Sequence, residues 1–304
     1  MTIDSTYLNS LKKYLRLDPA CESNVIRELQ THLEDKSHEL REFGLSEEEA
    51  TKTAARSLGS PQLIAKQIYE VYSQGSWRQA SFAALPHLLI ALLFALHCWH
   101  STIWLLAILT TVTLTAIYGW CHGKPTWLFP WLGCCFIPVL IVGVLLIYLP
   151  GGWAWFAVVA YVPLPLFVII QVTKQIIKLD WLCASLMLLP VPIVLGWTLV
   201  IVMGNGLLGF EQIYEAAPWI ALSFVVLAVT VMTFIRIKQR WIKTGTLLVP
   251  EALVLLMVSL GIKNAISFWG WLFIILLSLL FLLLPALLEH KIRQGYSQSL
   301  KLLR

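Results

Sequence analysis

Charge is scarce in this chain. Asp, Glu, Lys and Arg make up 13% of its 304 residues, about half the share of a soluble domain. The shortage is local. Residues 81–290 carry almost no charge outside short connections, which excludes an ordinary soluble domain over that length. Catalytic signatures are missing too. There is no Walker A loop, no Gly-x-Ser-x-Gly, no His-Glu-x-x-His and no pair of aspartates within an apolar run. Their absence excludes a P-loop ATPase of its own, a serine hydrolase elbow and a zincin site. The cysteines (Cys21, Cys98, Cys121, Cys134, Cys135, Cys183) show neither a Cys-x-x-Cys pair nor disulfide-framework spacing, so they read as small apolar residues. The first eighty residues are polar and patterned, unlike a signal peptide. They are expected to fold on the side where they are made.

What is present is apolar surface. The chain is 58% hydrophobic, with mean hydropathy +0.76. Residues 1–80 hold ten Lys and Arg against twelve Asp and Glu, a net of −2; residues 81–304 hold twelve against five, a net of +7. These two regions suit different solvents. A helix needs about 20 apolar residues to cross the hydrocarbon core. Eight stretches meet that need, near 81–98, 102–120, 129–149, 153–171, 181–203, 217–235, 245–262 and 266–288. The seventh is the weakest, because Pro250-Glu251 interrupts it. If its helix began at Pro250 it would be too short to cross, and the segment would be re-entrant.

Orientation follows from Lys and Arg in the connections. With a cytoplasmic N-terminus the inner side holds Lys124, Lys174, Lys178, Arg236, Lys238, Arg240, Lys243 and the tail residues Lys291, Arg293, Lys301 and Arg304. The outer side holds Lys263. The expected organisation is therefore all-α: a cytoplasmic four-helix domain (1–76), a transmembrane bundle of about eight helices (77–290) and a basic cytoplasmic tail (291–304). The setting is the inner (plasma) membrane, with both termini inside.

The N-terminal domain has helical periodicity. A first helix is expected over Thr6–Leu17. Pro19 opens a second, with an apolar stripe of Val25, Ile26, Leu29, Leu33, Leu40 and Phe43, and Gly44 supplies a left-handed stop. Ser46 to Glu49 has capping-box spacing ahead of a third helix that ends at Leu58-Gly59. Ser60-Pro61 then reads as N-cap and first position of a fourth helix, with Leu63, Ile64, Ile68 and Val71 buried. Ala50, Ala54 and Ala55 are small enough for close packing.

The run Gly44-Leu45-Ser46-Glu47-Glu48-Glu49-Ala50, followed by Leu58-Gly59-Ser60-Pro61 and Leu63-Ile64-Ala65, resembles the signature of the helical permease-prefix, or HAAS-type, domain of bacterial membrane proteins. The signature positions are Gly44, Ser46, Glu49, Leu58, Gly59, Ser60 and Pro61. The resemblance covers about residues 5–73. It implies a cytoplasmic regulatory or interaction module ahead of membrane helices, with a PadR-like regulator or a transport subunit as protein partner. It implies no reaction.

Candidate chemistry in the membrane region is sparse. Glu251 is the one carboxylate inside an expected span, and such a group is a functional-site hypothesis by default. The alternative is that Pro250 and Glu251 occupy the first helical positions, where an acid suits the helix dipole. His97, Cys98 and His100 are ligand types at one end of the first span, but a tetrahedral site needs more. They read as interfacial polar residues. Cys134-Cys135 reads as packing, and His87 alone signals little. Pro163-x-Pro165 and Pro190-x-Pro192 predict kinks. His97, His100 and Glu251 fall at opposite faces and cannot form one lipid-processing site. The basic segment Arg236, Lys238, Arg240, Lys243 suits anionic lipid headgroups, or docking of the acidic N-terminal domain through residues such as Glu34, Asp35 and Glu39.

The expected function is non-enzymatic: signalling or regulation at the membrane through a protein-interaction domain. The alternative is a transporter or transport-complex permease subunit. No cofactor, metal or direct nucleic-acid contact is expected. Membrane lipids are partners, and homo-oligomerisation is compatible with the sequence.

Overall fold

The structure is a computed structural model. It describes residues 3–15, 19–147, 163–205, 210–261 and 283–288, together with 159, 161, 272, 275, 276, 279 and 280. The expected spans 153–171 and 266–288 lie partly outside the described residues, and the tail 291–304 lies wholly outside them. Every regular element among the described residues is helical. The chain divides into two compact units. One comprises residues 1–74 with Lys238–Arg240; the other comprises 75–237 and 241–304.

The first unit contains α1 (Ile3–Tyr14), α2 (Pro19–Glu42), α3 (Glu47–Leu58) and α4 (Pro61–Tyr72). Glycines in the left-handed region end two of these segments, Gly44 at φ 93° and Gly59 at φ 94°. That conformation is cheap for glycine alone. Ser60 caps α4 by accepting the Leu63 N–H at 3.4 Å, with Pro61 in the first turn. Ser46 accepts the Glu49 N–H at 3.4 Å and donates its hydroxyl to Glu49 Oε2 at 2.9 Å. Glu49 thus meets the Ser46 side chain rather than its backbone N–H.

Two apolar nests hold this unit. Leu11, Leu15 and Ala65 meet Ile26, Leu29, Ile64 and Ile68. Leu33, Ala54 and Ala55 meet Tyr7, Leu8, Leu40 and Leu58. Leu11 and Leu33 are fully enclosed, which contributes roughly 2 kcal/mol apiece. Tyr7 donates its hydroxyl to the Gly59 carbonyl at 3.1 Å, tying α1 to the end of α3. Three residues of the expected stripes are not buried. Phe43 is 76% exposed, Leu63 54% and Val71 71%. Phe43 lies past the last residue of α2, and the buried side of α4 is Ile64, Ala65 and Ile68.

The second unit contains α5 (Trp77–Ala95), a 3-10 turn (Cys98–His100), α6 (Thr102–Cys121), α7 (Leu128–Ile147), α8 (Pro163–Leu179), α9 (Trp181–Leu188), α10 (Pro190–Asn205), α11 (Phe210–Arg236) and, apart from its first residue, α12 (Arg240–Gly261). Among the described residues, four helical segments are long and apolar enough to cross a membrane: Trp77–Ala95, Thr102–Cys121, Trp181–Thr198 and Ile213–Arg236. The third comprises α9 and most of α10. It is interrupted at Leu189, just before Pro190, and is the most enclosed of the four. α5 and α11 pack along most of their length, and α7 packs on α5, α6, α9 and α10.

Among apolar helices in lipid, close packing depends on small residues and on satisfying every backbone group. Two sites show this. Pro86 lies inside α5 and has no N–H, so the Phe82 carbonyl one turn earlier loses its helical donor. The indole Nε1 of Trp131 in α7 donates to that carbonyl at 3.1 Å. At Gly133 in α7, an added Cβ would lie 2.2 Å from the Met187 carbonyl oxygen of α9. Only glycine allows that approach.

α5 begins at Trp77, behind a full capping box. Gln79 N–H donates to Ser76 Oγ at 3.2 Å, and Ser76 N–H donates to Gln79 Oε1 at 2.9 Å. α12 passes through Pro250 without a break. Pro250-Glu251 is therefore mid-helix, ten residues beyond the start of α12 at Arg240, and the reading of these two as the first helical positions is replaced. The 22 residues of α12 extend about 33 Å at the usual rise.

Candidate functional site

The four basic residues of the α11–α12 segment have four different surroundings. Arg236 ends α11, donates through Nη1 to the Gly75 carbonyl at 3.1 Å and lies 4.4 Å over the Trp77 ring. Lys238 and Arg240 belong to the first unit. There the Lys238 carbonyl accepts the Ser73 hydroxyl at 3.4 Å, and the Arg240 guanidinium lies 5.5 Å over the Tyr69 ring. The Lys238 side chain is exposed. Ser73 and Tyr69 make these two contacts.

Lys243 turns inward. It is 3% exposed and sits 5.1 Å over the Phe234 ring, two residues ahead of the apolar stretch that starts at 245. Burial lowers the pKa of its ammonium, while Cys183 and Asp180 beside it push the value back up. Asp180 is also buried. It caps α9, its Oδ1 accepting the Leu182 N–H at 3.2 Å. A buried charge needs a counter-charge and hydrogen bonds, and Asp180 supplies the opposite sign to Lys243. An aspartate directly before an apolar helical run is an N-cap signal, so the sequence held a clue to this residue.

Glu251 is buried as well, on the face of α12 that also carries Lys243, Leu247 and Val254. These positions recur at three- and four-residue steps, which keep side chains on one helical side. The buried side of α12 thus bears a cation at its start and a carboxylate two turns later. The prefix-signature residues occupy turns and caps in the first unit: Gly44 and Gly59 in left-handed turns, Ser46 and Ser60 as N-caps, Pro61 in the first turn of α4.

No family model, curated protein or solved structure matches this chain.

A second polar cluster lies at the other end of α5. His97 stands in the left-handed region at φ 55°. Its ring stacks on Tyr214 at 5.4 Å, and His100 Nε2 is hydrogen-bonded to the Tyr214 hydroxyl. Trp99 stacks on His100 at 4.3 Å and meets Tyr214 edge-on at 5.3 Å. Cys98 Sγ is directed at the Leu96 carbonyl, 3.6 Å away. No group of three His, Cys, Asp or Glu residues with metal-site spacing occurs among the described residues. Tyr214 is the centre of this cluster, and sequence reading missed it because its partners lie more than a hundred residues away. His87 is fully enclosed near Phe224, with neither ring nitrogen hydrogen-bonded.

Proposed function

We propose that this chain is a non-enzymatic, multi-pass protein of the inner membrane, with both termini cytoplasmic. Its N-terminal helical unit acts as a regulatory or protein-interaction module on the membrane helices. The carrying observation is the make-up of that unit. It takes in Lys238–Arg240, the connection between α11 and α12, through Ser73 and Tyr69. A partner that reshapes the unit thereby acts on the link between two apolar helices. The excess of Lys and Arg in the expected inner connections supports the orientation. The resemblance of residues 5–73 to permease-prefix domains supports the regulatory role and a PadR-like regulator as partner.

The test is affinity capture of the intact protein after in-cell crosslinking. A cytoplasmic regulator crosslinked within residues 1–78, and lost on Arg240→Ala, is the expected result. Absence of any partner crosslinked to that segment refutes the interaction role.

A second reading, a transporter or transport subunit, is favoured by one observation. Glu251 is buried in an apolar helix on the same side as Lys243. An ionisable group in such a place is a functional-site hypothesis by default. It predicts that Glu251→Gln abolishes a transport or growth phenotype while membrane expression stays normal. An unaltered phenotype excludes a role for the carboxylate.

A further inference from the structure

The last turn of α4 leaves two apolar side chains outside the core of the first unit. Val71 and Tyr72 are 71% and 50% exposed, although the helical stripe in the sequence places Val71 inside. Cations stand at the same turn. Ser73, the residue after it, donates its hydroxyl to the Lys238 carbonyl at 3.4 Å, and the Arg240 guanidinium lies 5.5 Å over the Tyr69 ring. The Lys238 side chain is exposed and that of Arg240 partly so. Residues 66–73 and 238–240 together hold Lys66, Lys238 and Arg240 against Glu70. Glu70 stands one helical turn after Lys66, where the two offset each other. This end of the first unit thus joins exposed apolar surface to surplus positive charge.

The chain fixes the depth of that surface. Lys238 follows Arg236, the last residue of α11, by two residues, and Tyr72 precedes Trp77, the first of α5, by five. The segments 77–95 and 213–236 of these helices are long and apolar enough to span a bilayer. An extended chain covers about 3.5 Å per residue, so Lys238 lies within about 7 Å of the end of α11 and Tyr72 within about 17 Å of the start of α5. The headgroup layer is itself about 5–8 Å deep. The Trp77 ring, 64% exposed, belongs at that level. The boundary between headgroups and acyl chains accepts the valine side chain and the tyrosine ring while leaving the tyrosine hydroxyl hydrated. Lipid phosphates supply the charge opposite to Lys238 and Arg240, and the inner leaflet carries net negative charge. A zwitterionic surface would take the apolar pair and leave the surplus charge unmatched.

We propose that the α4 end of the first unit is a docking surface for anionic phospholipid. Val71 and Tyr72 enter the headgroup–acyl boundary, and Lys238 and Arg240 meet headgroup phosphates. The docking rests on the membrane setting and cytoplasmic N-terminus proposed above. It requires no protein partner.

The test uses the full-length protein in nanodiscs of phosphatidylcholine mixed with phosphatidylglycerol. Benzoylphenylalanine takes the place of Tyr72, and adducts are identified by mass after irradiation. Phosphatidylglycerol adducts are expected to exceed their share of the mixture about fivefold, the effect of one cation held near an anionic surface. Lys238→Glu, a change at an exposed side chain, should remove most of this preference, and Lys238→Arg should keep it. Val71→Glu should lower adducts of both lipids several-fold. Adducts in proportion to the mixture overturn the proposal. So does an unchanged preference in Lys238→Glu, or crosslinking to protein in place of lipid. A chain that incorporates and forms no lipid adduct overturns the docking alone; one that fails to incorporate overturns the membrane setting as well.

Discussion

Pro86 removes one amide hydrogen from α5, and Trp131 of a different helix makes good the loss. In lipid the Phe82 carbonyl has no water to turn to, so the Trp131 indole is its replacement donor. Trp131→Phe keeps the ring volume and deletes the donor. It is expected to destabilise the protein by about 1–3 kcal/mol, the usual cost of an unsatisfied buried carbonyl. A lowered thermal unfolding midpoint in detergent is the measurement, and an unchanged midpoint excludes the role. Lys243 gives a prediction in pH. Its ordinary pKa is 10.5, and burial lowers it in the fold. Between the lowered value and 10.5 the unfolded chain binds more protons than the folded one, so stability rises with pH through that window. Lys243→Met should remove this rise, and Asp180→Asn should enlarge it by taking away the counter-charge. Thermal midpoints measured across alkaline pH check both. The sequence made Glu251 visible, since a lone acid in an apolar run stands out. It did not make visible the burial of Lys243, which sits among three other basic residues and reads as one of a solvated set. Tyr214 likewise has no local signal, because its partners are brought from the turn after α5 by tertiary packing.

At the scale of elements, stop and start signals proved more legible than faces. Gly44, Gly59 and the Ser60-Pro61 pair mark where α2, α3 and α4 end or begin, because left-handed turns and N-caps are local chemistry. Ser60→Ala is therefore expected to cost about 1 kcal/mol, read as a lower denaturation midpoint of the first unit by circular dichroism of the full chain; a wild-type midpoint counts against the cap. Faces were legible only in part. Ala50, Ala54 and Ala55 are buried as expected. Phe43, Leu63 and Val71 are not, because a 3.6-residue stripe tells which residues share a side but not where the opposing helix stops. The prolines divide in the same way. Pro190 ends one helix and starts the next, whereas Pro86, Pro138, Pro218 and Pro250 stay inside theirs. Local sequence cannot separate these cases, since the outcome depends on whether a neighbour satisfies the freed carbonyl.

For the whole molecule, composition revealed the division into a polar helical part and an apolar one, because the two parts suit different solvents. Four helices of membrane-crossing length stand among the described residues. Orientation has a built-in test. Cys98 and Cys121 sit at opposite ends of α6 (Thr102–Cys121), the second of these exposed, separated by about 30 Å of helix. With the N-terminus cytoplasmic, a membrane-impermeant maleimide applied to intact cells should reach Cys98, and Cys121 only after permeabilisation. The reverse pattern inverts the topology.

The boundary between the two parts carries one more consequence. By sequence the polar region ends near residue 76, and it looks like a module that could be moved from one membrane protein to another. In space it also owns Lys238–Arg240, more than 160 residues downstream. A transplanted N-terminal segment would arrive without those three residues, and a host stripped of it would keep a hairpin connection fitted to an absent neighbour. Inheritance of such a module is therefore tied to the connection it grips. Swaps between related chains should succeed only when both pieces travel together.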